Sequence, residues 1–96
     1  MDAVVVRADL RVRGARSLKD KRQRIRPVID RIRHRLHLSV SEVGHQDAWN
    51  RSEIAVAVVA PTSERAAELL DAVEAVLHGA VDLEVLDVER IWIERD

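Results

Sequence analysis

The sequence predicts an α+β domain in which two helices cover one face of a four-stranded antiparallel sheet. Three observations lead there. Four segments alternate apolar and polar residues with the period of strands, two repeat apolar residues with the period of helices, and the order is strand, helix, strand, strand, helix, strand. At 96 residues the chain suits one domain spanning residues 1–96. Such a domain buries roughly two-thirds of the surface its unfolded form exposes, enough for a core without staples. With 47% apolar residues and no Cys, Phe or Tyr, that core has to be built from Val, Leu, Ile and Ala.

Ala3 to Arg13 form the first strand, with Val4, Val6, Ala8, Leu10 and Val12 on one face and Val5, Arg7, Asp9, Arg11 and Arg13 on the other. Gly14 and Ala15 interrupt it. Ser17 then stands as an N-cap, with Asp20 three residues later to take a free amide. The helix that begins near Leu18 lines up Leu18, Ile25, Val28, Ile29, Ile32 and Leu36 in a narrow stripe bordered by arginines. Pro27 lies almost opposite the stripe, where it is expected to bend the helix without ending it. Leu38, Val40 and Glu42 alternate with Ser39, Ser41 and Val43 in a polar strand suited to a sheet edge. Ser52 to Ala60 is apolar on both faces and is expected at the centre. Pro61, Thr62 and Ser63 start a second helix whose stripe is Ala66, Leu69, Leu70, Val73, Val76 and Leu77, and Gly79 closes it. The last strand runs from Leu83 to about Glu94. Its change of parity between Val85 and Leu86 predicts a bulge or a later start. Two right-handed βαβ halves in this order give the ferredoxin-like βαββαβ arrangement, with one sheet face left open. Ala55, Ala57 and Val59 beside Val5 would make that face more apolar than a monomer usually tolerates, so a homodimer about a two-fold axis is expected to cover it.

The net charge of −1 conceals a segregation. The first 37 residues carry 12 of the 16 Lys and Arg against 4 carboxylates; the other 59 carry 4 against 13. A basic helix of this kind is the best candidate in the chain for phosphate contacts. The residues that would make them are Arg16, Lys19, Lys21, Arg22, Arg26 and Arg33. Two alternatives compete: the arginine stems lie over the core beside their stripe, or Glu64, Glu68, Asp71 and Glu74 of the second helix neutralise the first. A sheet-based RNA reader is not expected, because such sheets stack bases on aromatics and the central strands here show Val, Ala and Arg.

The loop Gly44 to Arg51, GHQDAWNR, is the most distinctive in the chain. Trp49 reads either as a stacking or docking anchor with Arg51 as its polar companion, or as a plug closing a core short of large side chains. His34, His37, His45 and Asp47 do not make a recognised ligand pattern, and no metal or other cofactor is expected. The turn Arg13 to Ser17 resembles the anion loop of acylphosphatases, which share this fold. The repeated glycines of that loop are missing and Asn50 is expected away from the turn, so the chain is not expected to be an enzyme. Without an apolar run of membrane length or a leader pattern, a cytoplasmic protein with no membrane partner is expected.

Three stretches together resemble the YlxP-like family, small bacterial proteins of unknown function. They are SLKDKR at Ser17 to Arg22, VSEV at Val40 to Val43 followed by QDAWNR at Gln46 to Arg51, and IAVAVVA at Ile54 to Ala60. The resemblance implies a ferredoxin-like fold and a genomic setting among translation and ribosome-maturation genes, but carries over no catalytic residues. The expected function is therefore that of a non-enzymatic accessory protein bound to RNA or a ribosomal subunit through its basic helix. The alternative is a dimeric interaction or regulatory module that uses the open sheet face.

Overall fold

The computed structural model describes residues 1–93. Its elements are β1 (Asp2–Val12), α1 (Leu18–Arg35), β2 (Ser39–Gly44), β3 (Arg51–Ala60), α2 (Ser63–Gly79) and β4 (Leu83–Trp92). The strands form one antiparallel sheet in the order β2-β3-β1-β4, which puts β1 and β3 at the centre and β2 at an edge, as their burial patterns predict. Both helices lie over the face made by Val4, Val6, Ala8, Leu10 and Val12 of β1 and Ile54, Val56 and Val58 of β3. Ile25, Val28 and Ile32 of α1 and Ala66, Leu70, Val73 and Leu77 of α2 complete the core. No aromatic residue takes part in it.

The caps follow the chemistry of the sequence. Ser17 Oγ accepts from the Asp20 amide at 3.0 Å, while the Asp20 carboxylate reaches back to the Arg16 amide at 3.1 Å, one residue earlier than in the usual capping box. Thr62 caps α2 in the same way through the Arg65 amide. At the far end of α1, His37 adopts the left-handed conformation with φ 56°, and the Leu38 amide closes back on the Ile32 carbonyl at 3.4 Å, ending the helix without a glycine. Gly79 is the last residue of α2 rather than a left-handed cap beyond it, and the chain leaves through Ala80 in extended conformation. The helix continues through Pro27, which faces solvent.

The expected bulge is present in β4. Val85 pairs with Leu10 and Asp87 with Asp9, so Leu86 is the extra residue. Val85, Val88 and Arg90 all then point to the helix side, and Glu84, Asp87, Glu89 and Ile91 to the open side. The strand is described as far as Trp92; Glu94 lies outside the described residues. Among the described residues no helix is long and apolar enough to cross a membrane.

Candidate nucleic-acid interface

Lys21, counted among the phosphate-contacting cations by its charge, is instead the largest fully buried side chain, at 1% exposure. It sits on the apolar stripe of α1, three residues after Leu18 and four before Ile25, so its stem packs where a Leu would. Its ammonium meets Glu42 Oε2 at 3.1 Å and the carbonyls of His45, Gln46 and Arg51 at 2.8, 3.3 and 3.3 Å. The buried Ser52 hydroxyl donates to the same Glu42 oxygen at 2.6 Å. A charge this deep is tolerated because it is paired and hydrogen-bonded on all sides. Lys21 therefore binds the 45–51 loop to the first turns of α1 and cannot reach a phosphate. The clue in the sequence is its position within the stripe, together with the matching phase of Glu42 on β2.

The other cations of α1 point outward. Arg22 and Arg26 lie one turn apart, and Arg33 follows seven residues later, on one side of the helix. They line a depression of about 310 Å³ between α1 and β2, floored by Ile25 and Ile29. Arg33 gives one donor to the Val40 carbonyl at 3.1 Å and remains exposed. Arg16 and Lys19 are exposed at the helix entrance. Among the described residues none of these five cations forms an ion pair, and no salt bridge joins α1 to α2. The carboxylates of α2 turn elsewhere: Asp71 and Glu74 grip Arg90 of β4, whose guanidinium pKa they raise, and Glu68 pairs with Arg65. Within the described residues no ion pair therefore joins the two helices. Of the arginines on α1, Arg24 alone forms an ion pair among the described residues, with Asp82, and it also donates to the Gly14 carbonyl.

Trp49 does not plug the core, since it is 48% exposed on the loop. Arg51 is not free to accompany it: both oxygens of Asp9 accept from the Arg51 guanidinium, at 2.7 and 2.8 Å. These hydrogen bonds, reinforced by the charges of Arg51, His45 and Arg7 and opposed by burial, hold the Asp9 carboxyl below the usual carboxylate range. The Asn50 carbonyl accepts from the Val12 amide, so Asn50 lies beside the end of β1, contrary to the expectation that it stands away from the following turn. That turn is nonetheless no open anion cradle, because the Arg13 and Arg16 amides are already bonded to Asp82 and Asp20. Among the described residues no three His, Asp or Glu side chains gather as a metal site.

The open sheet face divides in two. At one end Arg7 is shared by Glu53 and Glu89, Arg11 meets Glu84, and Arg51 meets Asp9. At the other end Ala57 and Val59 of β3, Ala3 and Val5 of β1 and Ile91 of β4 are neighbours in register, with Ala55 at the boundary opposite Arg7. Val59 is 66% and Ile91 42% exposed.

A fold of this order with a basic helix and a lysine-anchored loop marks a small ferredoxin-like domain. The family DUF503, described as a protein of unknown function, matches residues 4–90. The chain is 30% identical over 78 residues to the uncharacterized protein YlxP of Bacillus subtilis, an alignment covering 81% of this chain and 85% of that one. It belongs to this YlxP-like family. Among solved structures, a de novo designed protein with a ferredoxin fold superposes with a TM-score of 0.54 at 16% identity, covering 100% of this chain and 87% of the design, which bears on the fold alone.

Two measurements check the polar sites at Lys21 and Asp9. Lys21→Met removes the ammonium but leaves the Glu42 carboxylate and three carbonyls behind, and is expected to cost about 3 kcal/mol in urea unfolding. Adding Glu42→Gln should return part of that loss. For Asp9, a folded pKa below the unfolded value of about 3.9 makes its contribution complete above that value, and the contribution is lost as pH falls through the folded pKa. The stability difference between wild type and Asp9→Asn should therefore be flat above about pH 5 and shrink below about pH 4.

Proposed function

We propose that this protein is a non-enzymatic RNA-binding accessory factor, acting on ribosomal RNA or a ribosomal subunit, with α1 as its phosphate-binding surface. The observation that carries this reading is that Arg16, Lys19, Arg22, Arg26 and Arg33 remain unpaired among the described residues although the other half of the chain is acidic. Cations that release condensed counterions supply most sequence-independent affinity for nucleic acid, and a row along one helix tracks a phosphate backbone. Guanidiniums also bind phosphate oxygens two at a time, which ammonium groups do not.

A second reading concerns the apolar half of the open face, where Val59 and Ile91 stand exposed on either side of Val5. A second copy related by a two-fold axis lying in the plane of that patch sets apolar surface on apolar surface and leaves the charged halves in water, making the protein a dimeric interaction module. The two readings use opposite faces and are compatible.

Filter binding to ribosomal RNA across a salt series tests the first. Five phosphate contacts should give a slope of log affinity on log salt of about −3.5 to −4.5. Arg22→Glu combined with Arg26→Glu should flatten the slope by about 2 and leave the unfolding midpoint unchanged. Full affinity in that variant would remove α1 as the surface. Light scattering tests the second: Val59→Glu should convert a salt-resistant dimer to monomer, and a wild-type monomer at all concentrations refutes it.

A further inference from the structure

We infer that the α1 surface takes an unpaired strand, with Trp49 stacked on one of its bases while Arg16, Lys19 and Arg22 hold the adjoining phosphates. This rests on the RNA-binding reading and narrows it to a class of RNA. Trp49 cannot be assigned to the core, which closes around Val, Leu, Ile and Ala without it. It is nevertheless rigidly presented. The Ala48 amide before it bonds the His45 carbonyl at 3.0 Å, and the Asn50 carbonyl after it accepts from Val12 at 2.9 Å. Lys21 holds the carbonyls of residues 45, 46 and 51 against the helical turn that carries Lys19 and Arg22. A half-exposed indole on a loop tethered to the helical turn that carries unpaired cations offers the two kinds of group that hold single strands, in which aromatic faces stack bases and cations follow the backbone.

A duplex does not use such a ring, because its bases are stacked internally and its grooves offer edges rather than faces. The exposed Asp47 carboxylate on the same loop opposes phosphate there, leaving the base to the loop side and the backbone to the helix side. The sheet offers no competing platform, since its open face presents no aromatic ring among Val5, Ala55, Ala57 and Val59. The second tryptophan, Trp92, pairs with Val4 at the opposite end of β1 from Val12, about 26 Å along the strand, and serves as an internal control.

The test is anisotropy titration of the full chain with three labelled RNAs of equal length at low salt: an unpaired uridine 12-mer, the same backbone with abasic positions, and a duplex. Trp49→Leu should weaken binding of the unpaired strand about tenfold, leave the abasic strand and the duplex unchanged, and abolish quenching of the protein's fluorescence on binding. Trp49→Phe should restore most of the affinity, and Trp92→Leu should not alter it. Circular dichroism melts of each variant confirm that folding is intact. Unpaired RNA bound equally by wild type and Trp49→Leu, or equal wild-type affinity for the abasic and intact strands, overturns the stacking role while leaving the phosphate surface standing. No salt-sensitive binding of any of the three RNAs overturns both.

Discussion

The ammonium of Lys21 is the point on which the rest of this structure converges. Three parts of the chain distant in sequence meet there: the start of α1, Glu42 on the edge strand, and the loop that leads into β3. A methylene stem packed in the apolar stripe ends in a charge that satisfies a partly buried carboxylate and three loop carbonyls. Without it the Glu42 carboxylate would lose its charged partner and the loop carbonyls their shared donor, which costs more than an apolar packing of the same site. The stretches SLKDKR, VSEV and QDAWNR, separated in the chain, are brought together by this one group, which explains physically why they form a single motif.

Around that anchor the charges sort themselves by distance rather than by total. The acidic half of the chain leaves the outward cations of α1 unpaired among the described residues, because many of its carboxylates are engaged elsewhere: Asp71 and Glu74 with Arg90, Glu53 and Glu89 with Arg7, and Glu84 with Arg11. Most of these pairs are partly solvated and contribute little individually to stability. Their larger effect is on the field, since they leave the exposed face of α1 positive in a protein that is nearly neutral overall.

The six elements were legible in the sequence because each carries an unmistakable period and a cap: alternation in Val4 to Val12, the stripe from Ile25 to Ile32, Ser17 and Thr62 at the helix starts. The bulge too was legible, since Val85 and Leu86 break the alternation. The role of Lys21 was not, because its main partners are backbone carbonyls, which have no identity in a sequence, and because a lysine is counted by its charge before its phase. Nor could the sequence show that α1 stays free of α2. That depends on Arg90, from a third element, intercepting the acidic helix. Trp49 illustrates a further limit: its residue type fits a plug or an anchor equally, and only its exposure separates the two.

The extra residue in β4 fixes where the chain can change length. With Leu86 outside the ladder, Val85 and Asp87 already occupy successive rungs, so loss of Leu86 would leave every later side chain on its present face. An insertion or deletion further along would instead invert the strand, carrying Asp87 or Glu89 beneath the helices and Arg90 away from Asp71 and Glu74. The released carboxylates would then be free to meet the arginines of α1. A change of length in the last strand that keeps Arg90 beside Asp71 and Glu74 is therefore one made at the bulge, and the charge on the first helix is protected by a residue that does not touch that helix's cations.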